Sequence, residues 1–321
     1  MDILLVDIDS KIPNLALMKL SAYYKALGHN IGFDIVDPDI VYASVIFKKN
    51  KHLVDGLKFW YPHAQINIGG SGYNLSKTLP DEIESTKPDY DLYTDVCNLC
   101  GSVRRYCNCK KKRLFGKIDY SLGYSSRGCI RNCYFCIVPE KEGHFCRAVH
   151  PKEWYNPDFN KIMFLDNNIL ADKEWFFEIT DWCIQKDLKV WFCQGLDIRL
   201  LDEQVSIRLK QLKLWKPIFF AWDHIEDEPV VREKLPILQK AGFDGWRLKR
   251  WIQFYVYVNS DADYNTGVYR CREIKKMGCN PFVMFNMDSE PTKRIKELKR
   301  WANKKQIFNS CDISEYSRAI A

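Results

Sequence analysis

Hydrophobic positions in the first 95 residues follow two periods in turn. Short apolar runs, typical of buried strands, lie at 2–8, 31–36, 41–47 and 65–68. Apolar residues at helical spacing occupy 15–27 and 51–60, and the first of these stretches ends at Gly28, which suits a helix C-cap. This alternation predicts an α/β fold that begins with an open parallel sheet, a Rossmann- or flavodoxin-like domain over residues 1–95.

The same rhythm returns after residue 118 and is longer there. Six further strands are predicted, at 120–125, 161–165, 189–193, 218–222, 252–258 and 281–286. Helical patterns separate or follow most of them, at 173–186, 203–212, 229–241, 263–277 and 292–303. Six such units fit a partial (β/α)6 TIM-type barrel over 118–290 better than a closed eightfold barrel, with a C-terminal helix and tail at 291–321. Functional residues of such barrels lie at the C-terminal ends of the strands.

The composition excludes several classes of protein. Hydrophobic residues make up 46% and charged residues 28% of the 321 positions, the balance of a soluble globular protein. No apolar run approaches the roughly 18 residues that a membrane-spanning helix needs, and the first residues carry no basic segment of an export signal. These features favour a cytoplasmic protein with no membrane partner, in a compartment that keeps cysteines reduced.

A basic, cysteine-rich insertion interrupts the rhythm at residues 96–117. It contains seven Lys or Arg residues and no acidic residue, which leaves 41 basic and 41 acidic residues in the rest of the chain. Its four cysteines suit a tetrahedral zinc knuckle, favoured by a Gly-Ser turn after the first pair, or an auxiliary iron–sulfur cluster: Cys97, Cys100, Cys107 and Cys109. Four unliganded thiols are the third alternative. The basic charge predicts contact with a nucleic acid, against the alternative of a solvated loop.

A second group of cysteines follows the first predicted barrel strand. Cys129, Cys133 and Cys136 are spaced C-x3-C-x2-C in one short loop. Three thiolates can hold three irons of a [4Fe–4S] cluster and leave the fourth iron open to bind and reduce another molecule. The alternatives are a zinc site that borrows Cys146 or His144 as a further ligand, and three plain thiols.

This loop resembles the signature of the radical S-adenosylmethionine (SAM) superfamily. The longer run from Gly123 to Cys136, continuing through Val138-Pro139 and Glu142-Gly143, is similar to members that carry an N-terminal cobalamin-binding-type domain. The resemblance implies that the three cysteines ligate a [4Fe–4S] cluster, that SAM chelates the open iron, and that one electron cleaves SAM to a 5′-deoxyadenosyl radical. A flavodoxin- or ferredoxin-type electron donor is implied with it.

The resemblance also assigns residues to SAM by their position. Phe135, before the third cysteine, corresponds to the position that faces the adenine. The end of the second barrel strand usually holds the methionine amino group; here it carries Asp166, Asn167 and Asn168 in place of the common Gly-Gly-Glu form. Asp223, at the end of the fourth strand, is a candidate acceptor from the ribose hydroxyls, against the alternative of a helix N-cap.

Arg199 and Asp197 follow the third barrel strand and are the candidate catalytic residues. An arginine there suits a carboxylate or a phosphate of the substrate. The alternative is an ion pair that holds the following helix.

The reaction and the substrate are the least determined part of the prediction. The favoured hypothesis is a radical SAM enzyme that modifies a macromolecule, with a nucleic acid favoured over a peptide. A cobalamin-dependent radical SAM methyltransferase is a second hypothesis: Gly69–Gly72 could lie against a cofactor tail, although the D-x-H-x-x-G motif of many cobalamin proteins is absent. A methylthiotransferase-like enzyme with an auxiliary cluster and a zinc-dependent nucleic-acid-binding protein are the others. The oligomeric state is not determined by these patterns.

Overall fold

In the computed structural model, which describes residues 1–94, 97, 118–286 and 290–318, the chain divides into two units. The first consists of Met1–Gly123 with Pro151–Phe159, and the second of Tyr124–His150 with Asn160–Ala321. Both units are built from helices and parallel strands, which confirms the α/β class of the fold.

The first unit is built on a four-stranded parallel sheet in the order β2-β1-β3-β4. Its strands are β1 Asp2–Asp7, β2 Asn30–Gly32, β3 Ile40–Ser44 and β4 Gln65–Gly69, and β5 Ser121–Gly123 ends the unit's first segment. Its helices are α1 Leu15–Ala26, the 3-10 helices Lys48–Val54 and Pro151–Glu153, α2 Leu57–Trp60 and α3 Asp81–Glu84. This strand order is that of doubly wound sheets, and the Rossmann-like assignment stays a prediction.

Local chemistry explains where α1 begins and ends. The side chain of Asn14 accepts a hydrogen bond from the N–H of Leu17 and caps the first turn. Gly28, at φ +77°, ends the helix as predicted. The helix predicted at 51–60 is shorter than expected, because a 3-10 helix occupies 48–54 and only four residues of α2 follow Gly56.

The glycine-rich turn after β4 is fitted against the chain that leaves β3. Gly70 has φ +95°, and a Cβ atom there would lie 2.3 Å from the carbonyl oxygen of Val45. A Cβ atom on Gly72 would lie 2.6 Å from the carbonyl carbon of Phe47. Gly69, in contrast, has no atom within 4 Å of its Cβ position. The close approach of two backbone segments therefore requires two of these glycines and leaves the third unconstrained.

The second unit carries eight strands and most of the helices. Its strands are β6 Ser126–Arg127, β7 Cys146–Arg147, β8 Lys161–Phe164, β9 Lys189–Phe192, β10 Lys213–Leu214, β11 Ile218–Ala221, β12 Ile252–Tyr257 and β13 Asn280–Met284. Its α-helices are α4 Val138–Glu142, α5 Lys173–Gln185, α6 Glu203–Gln211, α7 Glu228–Lys240, α8 Gly245–Trp251, α9 Tyr264–Lys276, α10 Lys293–Asn303, α11 Lys305–Ser310 and α12 Ile313–Arg318. Short 3-10 helices lie at Ile169–Ala171, Ile198–Leu200 and Ile225–Asp227.

The longer strands of this unit form two parallel sheets instead of one continuous barrel wall. One sheet contains the order β10-β9-β8 and the other has the order β11-β12-β13. Within the described residues, a parallel bridge between Leu196 and Phe220 joins them, with a 2.7 Å hydrogen bond from the N–H of Leu196 to the carbonyl of Phe219. The partial-barrel prediction therefore remains a prediction, while the parallel β/α units it rests on are present.

None of the helices in the described part of the chain is long and apolar enough to cross a membrane.

Replacing Gly70 with alanine should destabilise the chain on the order of 3 kcal/mol, because the substitution adds both a left-handed strain and a backbone collision. Gly69→Ala is the matched control, and its free energy of unfolding should differ from the wild type by less than about 1 kcal/mol. Urea denaturation followed by circular dichroism measures both. Equal effects of the two substitutions would contradict this account of the turn.

Candidate functional site

The cysteine loop is framed by a short hairpin. Strands β6 and β7 pair antiparallel, with Arg127 opposite Cys146, so the loop from 128 to 145 leaves and returns at one place. Gly128 has φ +70°, and a Cβ atom there would lie 2.1 Å from the carbonyl oxygen of His144. The N–H of Cys129 donates to the carbonyl of Gly143 at 3.2 Å. The base of the loop is thus closed by backbone contacts that only glycine permits.

The three loop cysteines are free thiols, and each is partly exposed. Two backbone N–H groups donate to sulfur atoms: Arg131 to Cys129 Sγ at 3.3 Å, and Val138 to Cys136 Sγ at 3.5 Å. Burial raises the pKa of the Cys133 and Cys136 thiols. Thiols in such a place lose their protons to a metal centre that binds them.

Three thiols with N–H donors to two of their sulfur atoms are a donor set that suits an iron–sulfur cluster. Within the described ranges, no group of three His, Cys, Asp or Glu side chains could hold one metal ion. A [4Fe–4S] cluster places each thiolate on a different iron, so its ligands do not need to converge on one point. N–H donors to the sulfur atoms are also among the features by which proteins adjust such clusters.

Glu142, the last residue of α4, ties the loop together. Its Oε2 atom accepts from the N–H of Gly128 at 3.1 Å and from Nδ2 of Asn167 at 2.8 Å. Arg127 forms an ion pair with the same oxygen at 3.3 Å, and the Glu142 side chain is 5% exposed. Asn167 was predicted to contact SAM, but its amide nitrogen donates to Glu142.

Asp166 anchors the beginning of the loop. Its carboxylate is buried and accepts from the N–H of Ser125 at 3.1 Å and from the hydroxyls of Ser125 and Ser126 at 2.6 and 2.5 Å. Burial raises the pKa of this carboxyl. Both of its oxygens are engaged within the protein, although the sequence suggested a contact with SAM.

Asn168 has a buried polar atom that the described residues leave unpaired. Its side chain is buried, and its Nδ2 donates to Cys129 Sγ at 3.5 Å. Its Oδ1 is buried with no hydrogen-bond partner among the described residues. A buried acceptor left unpaired costs about 1–3 kcal/mol, so this atom indicates that a donor from a ligand belongs beside the first cysteine of the loop.

Aromatic rings surround the third cysteine. Phe135 stacks on Tyr257 with ring centroids 4.1 Å apart, and the ring of His224 lies 6.0 Å from that of Phe135. Tyr134 is 71% exposed, and its ring lies 5.9 Å from His224. The sequence predicted only Phe135. Tyr257 and His224 were missed, although their places near the ends of β12 and β11 were the available signal.

The predicted catalytic pair, Asp197 and Arg199, forms an ion pair. Arg199 Nε donates to Asp197 Oδ1 at 2.7 Å, and Arg131 Nε of the cysteine loop donates to Oδ2 at 2.8 Å. The two guanidinium groups outweigh burial and hold the pKa of Asp197 below its usual value. The pair therefore connects the loop to the chain after β9; its predicted role in catalysis stays a prediction.

Asp223 lies where the sequence placed it, but it does not cap a helix. Its Oδ1 accepts from the N–H of Tyr257 at 2.9 Å, which links the chain after β11 to the last residue of β12. Burial raises the pKa of Asp223 to about 6. A carboxyl of this kind can accept or donate near neutral pH.

Arg270 of α9, which the sequence analysis missed, holds the same strand ends. It is 2% exposed, and its guanidinium donates to the carbonyls of Trp222, Asp223 and Tyr257 at 2.7, 2.6 and 3.0 Å. Both arginines of α9 look alike in the sequence, although Arg270 is buried and Arg272 is exposed.

The four-cysteine prediction is almost wholly beyond the described residues. Cys97 is buried, whereas Cys100, Cys107 and Cys109 lie outside the described residues, as does the basic charge of the insertion. Zinc, an auxiliary cluster and nucleic-acid contact at this segment therefore stay predictions.

Cobalamin finds no specific support in the first unit. Gly70 and Gly72 of the turn after β4 are required by its packing on Val45 and Phe47. Asp7 accepts from the hydroxyl of Tyr93, and Asp9 accepts from the N–H groups of Ile46 and Phe47 at 2.7 and 3.0 Å. These contacts account for the glycines and both carboxylates without a ligand.

Comparison with known proteins identifies an enzyme among the relatives. No protein-family model matches the chain. A bacteriochlorophyllide d C-8(2)-methyltransferase from Chlorobaculum tepidum is 26% identical over 263 residues, which cover 77% of the chain and 54% of the relative. The chain thus spans about half the length of this curated relative. The similarity connects most of the chain to a methyltransferase.

Replacing Glu142 with alanine should release both the base of the loop and Asn167. Because hydrogen bonds to a charged group contribute about 1.5–3 kcal/mol, we expect a loss of about 2 kcal/mol in the free energy of unfolding and less iron bound per chain after reconstitution. Glu140→Ala removes an exposed carboxylate from the same helix and should change neither quantity. An E142A variant that keeps the stability and iron content of the wild type would contradict the anchoring role.

Replacing Asp223 with asparagine should change how stability depends on pH. Between the ordinary pKa of 3.8 and the folded value of about 6, the folded chain holds a proton that the unfolded chain has released. The stability of the wild type therefore falls as pH rises through this window. Asparagine cannot ionise and its oxygen can still accept from Tyr257, so the variant should gain about 2–3 kcal/mol on the wild type from about pH 4 to pH 7. Urea denaturation across the window measures this difference, and a constant difference would refute the raised pKa.

Proposed function

We propose that this chain is a radical SAM enzyme and that the reaction it serves is the transfer of a methyl group. The observation that carries the first part is the cysteine loop itself. Its three free thiols carry two backbone N–H donors, and the first of them lies beside the unpaired Oδ1 of Asn168. The similarity to a methyltransferase supports the second part.

In this proposal the chain's own residues bind and orient the cofactors. Cys129, Cys133 and Cys136 hold the [4Fe–4S] cluster, which supplies one electron to SAM when bound. The amino group of SAM is the donor that Asn168 Oδ1 lacks. The stacked rings of Phe135 and Tyr257 offer an apolar surface for the adenine.

In the same proposal, the polar residues at the strand ends position the cysteine loop and the cofactor. Asp223 is the acceptor proposed for a ribose hydroxyl, and Arg270 fixes the backbone on either side of it. The contacts of Asp197 with Arg131 and Arg199 keep the cysteine loop against the end of β9. These groups position the loop and the cofactor, and they exclude water by filling the space between the strand ends.

The methyl-transfer part distinguishes among the hypotheses that the sequence left open. Methyl transfer is favoured over sulfur insertion, because the relative is a methyltransferase. A macromolecular substrate gains no support, since the basic insertion lies outside the described residues. The relative's own substrate, a bacteriochlorophyllide, makes a small cyclic substrate the alternative to a nucleic acid.

Anaerobic reconstitution with iron and sulfide, followed by incubation with SAM and dithionite, tests the first part. We expect about four irons per chain and the release of 5′-deoxyadenosine. Replacing any one of Cys129, Cys133 or Cys136 with alanine should abolish both, because each thiolate holds a separate iron. Cys146→Ala is the matched control: this exposed thiol lies in the same hairpin and should be dispensable.

The outcomes separate the rival sites. One zinc per chain that is lost in Cys146→Ala would identify a zinc site and overturn the proposal. An intact cluster that yields no 5′-deoxyadenosine would overturn the radical SAM assignment. Methyl transfer is tested separately with SAM labelled at its methyl group, with and without hydroxocobalamin, by mass spectrometry of RNA, peptide and tetrapyrrole pools.

A further inference from the structure

Helix α8 presents basic and aromatic side chains to solvent. Trp246 is 64% exposed, and Arg247, Lys249 and Arg250 are also exposed. The helix contains no acidic residue; Asp244, just before it, lies 3.5 Å from Arg247. A tryptophan ring has an apolar body and a polar N–H, and exposed rings of this kind are enriched at interfaces.

A cavity of about 170 Å³ opens beside this helix. Its lining combines five apolar side chains with one cation from α6 and one from α8: Leu209, Lys210, Leu212, Leu214, Phe243, Arg247 and Trp251. An apolar cavity of about 150 Å³ is large enough to hold a benzene-sized group. The cavity can therefore take an apolar group whose charged end meets Lys210 and Arg247.

Arg247 pairs with Asp244 at 3.5 Å, but other cations around the cavity have no carboxylate partner among the described residues. Lys210 packs its side chain against Gly242, and in the described part of the chain neither Lys210 nor Arg250 forms an ion pair. Arg250 lies over the ring of Trp251 at 4.9 Å and close enough to Lys305 to help lower the pKa of that amine, after burial. Like charges held together in this way favour an anionic partner.

This surface lies away from the candidate functional site. Helix α8 leads directly into the first residue of β12, whereas Tyr257 of the candidate site is the last residue of that strand. Six residues of strand separate the two ends, a distance of about 17–20 Å at the usual rise. A ligand beside α8 therefore lies at the opposite end of β12 from Tyr257.

We propose that the surface formed by Lys210, Trp246, Arg247, Arg250 and the adjoining cavity binds a membrane that contains anionic phospholipid. Phosphate groups would lie between Lys210 and Arg247, the end of an acyl chain in the cavity, and Trp246 at the level of the headgroups. A nucleic acid matches the cations and the exposed ring but has no group that calls for an apolar cavity. The absence of a long apolar run in the sequence excluded a spanning helix, and a peripheral contact needs none.

Sedimentation of the full chain with lipid vesicles tests this proposal. We expect binding to vesicles of phosphatidylcholine mixed with phosphatidylglycerol and none to pure phosphatidylcholine. Each neutralised cation should lower partitioning about fivefold, so Lys210→Gln with Arg247→Gln should lower it about thirtyfold, and Trp246→Ala should lower it as well. The matched control is Lys293→Gln with Lys296→Gln, which removes two exposed charges from α10 and should leave binding unchanged.

Three results would overturn the proposal. The first is equal binding by the wild type and the Lys210/Arg247 variant, or no binding by either. The second is binding of single-stranded RNA that the variant loses while vesicles are not bound, which would assign the surface to a nucleic acid. The third is a change of oligomeric state between wild type and Trp246→Ala in analytical ultracentrifugation without lipid, which would assign it to a second copy of the chain. Unchanged circular dichroism of the variants controls for folding.

Discussion

Three consecutive polar residues at the end of β8 fasten the cysteine loop, and the geometry of the candidate site depends on them. Asp166 holds the serines where the loop begins, Asn167 holds Glu142 where it ends, and Asn168 donates to the sulfur of Cys129. A loop fastened at three points loses less conformational entropy when it binds a cluster than a mobile one would. Backbone contacts at Gly128 complete the frame.

A second constraint operates at the ends of β11 and β12. Backbone carbonyls at the C-terminal ends of parallel strands need donors, and a buried carbonyl without one is costly. Arg270 supplies donors to three of them, and Asp223 accepts the N–H of Tyr257. Because Arg270 is buried and bonded to the backbone on both strand ends, this network fixes the chain that carries His224 and Tyr257 beside Phe135.

The numbers of basic and acidic residues do not reveal where charge lies on the surface. Outside residues 96–117 the chain is balanced, with 41 basic and 41 acidic residues. Many acidic side chains are nevertheless engaged locally, as Asp197 is with Arg131 and Arg199. Among the described residues, Lys210 and Arg250 have no such partner, whereas Arg247 pairs with Asp244. A balanced count therefore coexists with a strongly basic surface, which composition cannot reveal.

The α/β class, the positions of most strands and the loop with Cys129, Cys133 and Cys136 were predictable from the residue pattern alone. These features are local, because a strand or a C-x3-C-x2-C loop depends on residues that are neighbours in the sequence. The sequence also placed Asp166, Asn167 and Asn168 at a strand end. Their partners are visible only in the folded chain: Asp166 accepts from Ser125, Asn167 donates to Glu142, and Oδ1 of Asn168 is left unpaired. The roles of Arg270 and of the α8 surface also required the folded structure, because the residues that they contact lie far away in the sequence. Side-chain pairing across the chain depends on how elements approach, and a linear pattern does not contain that information.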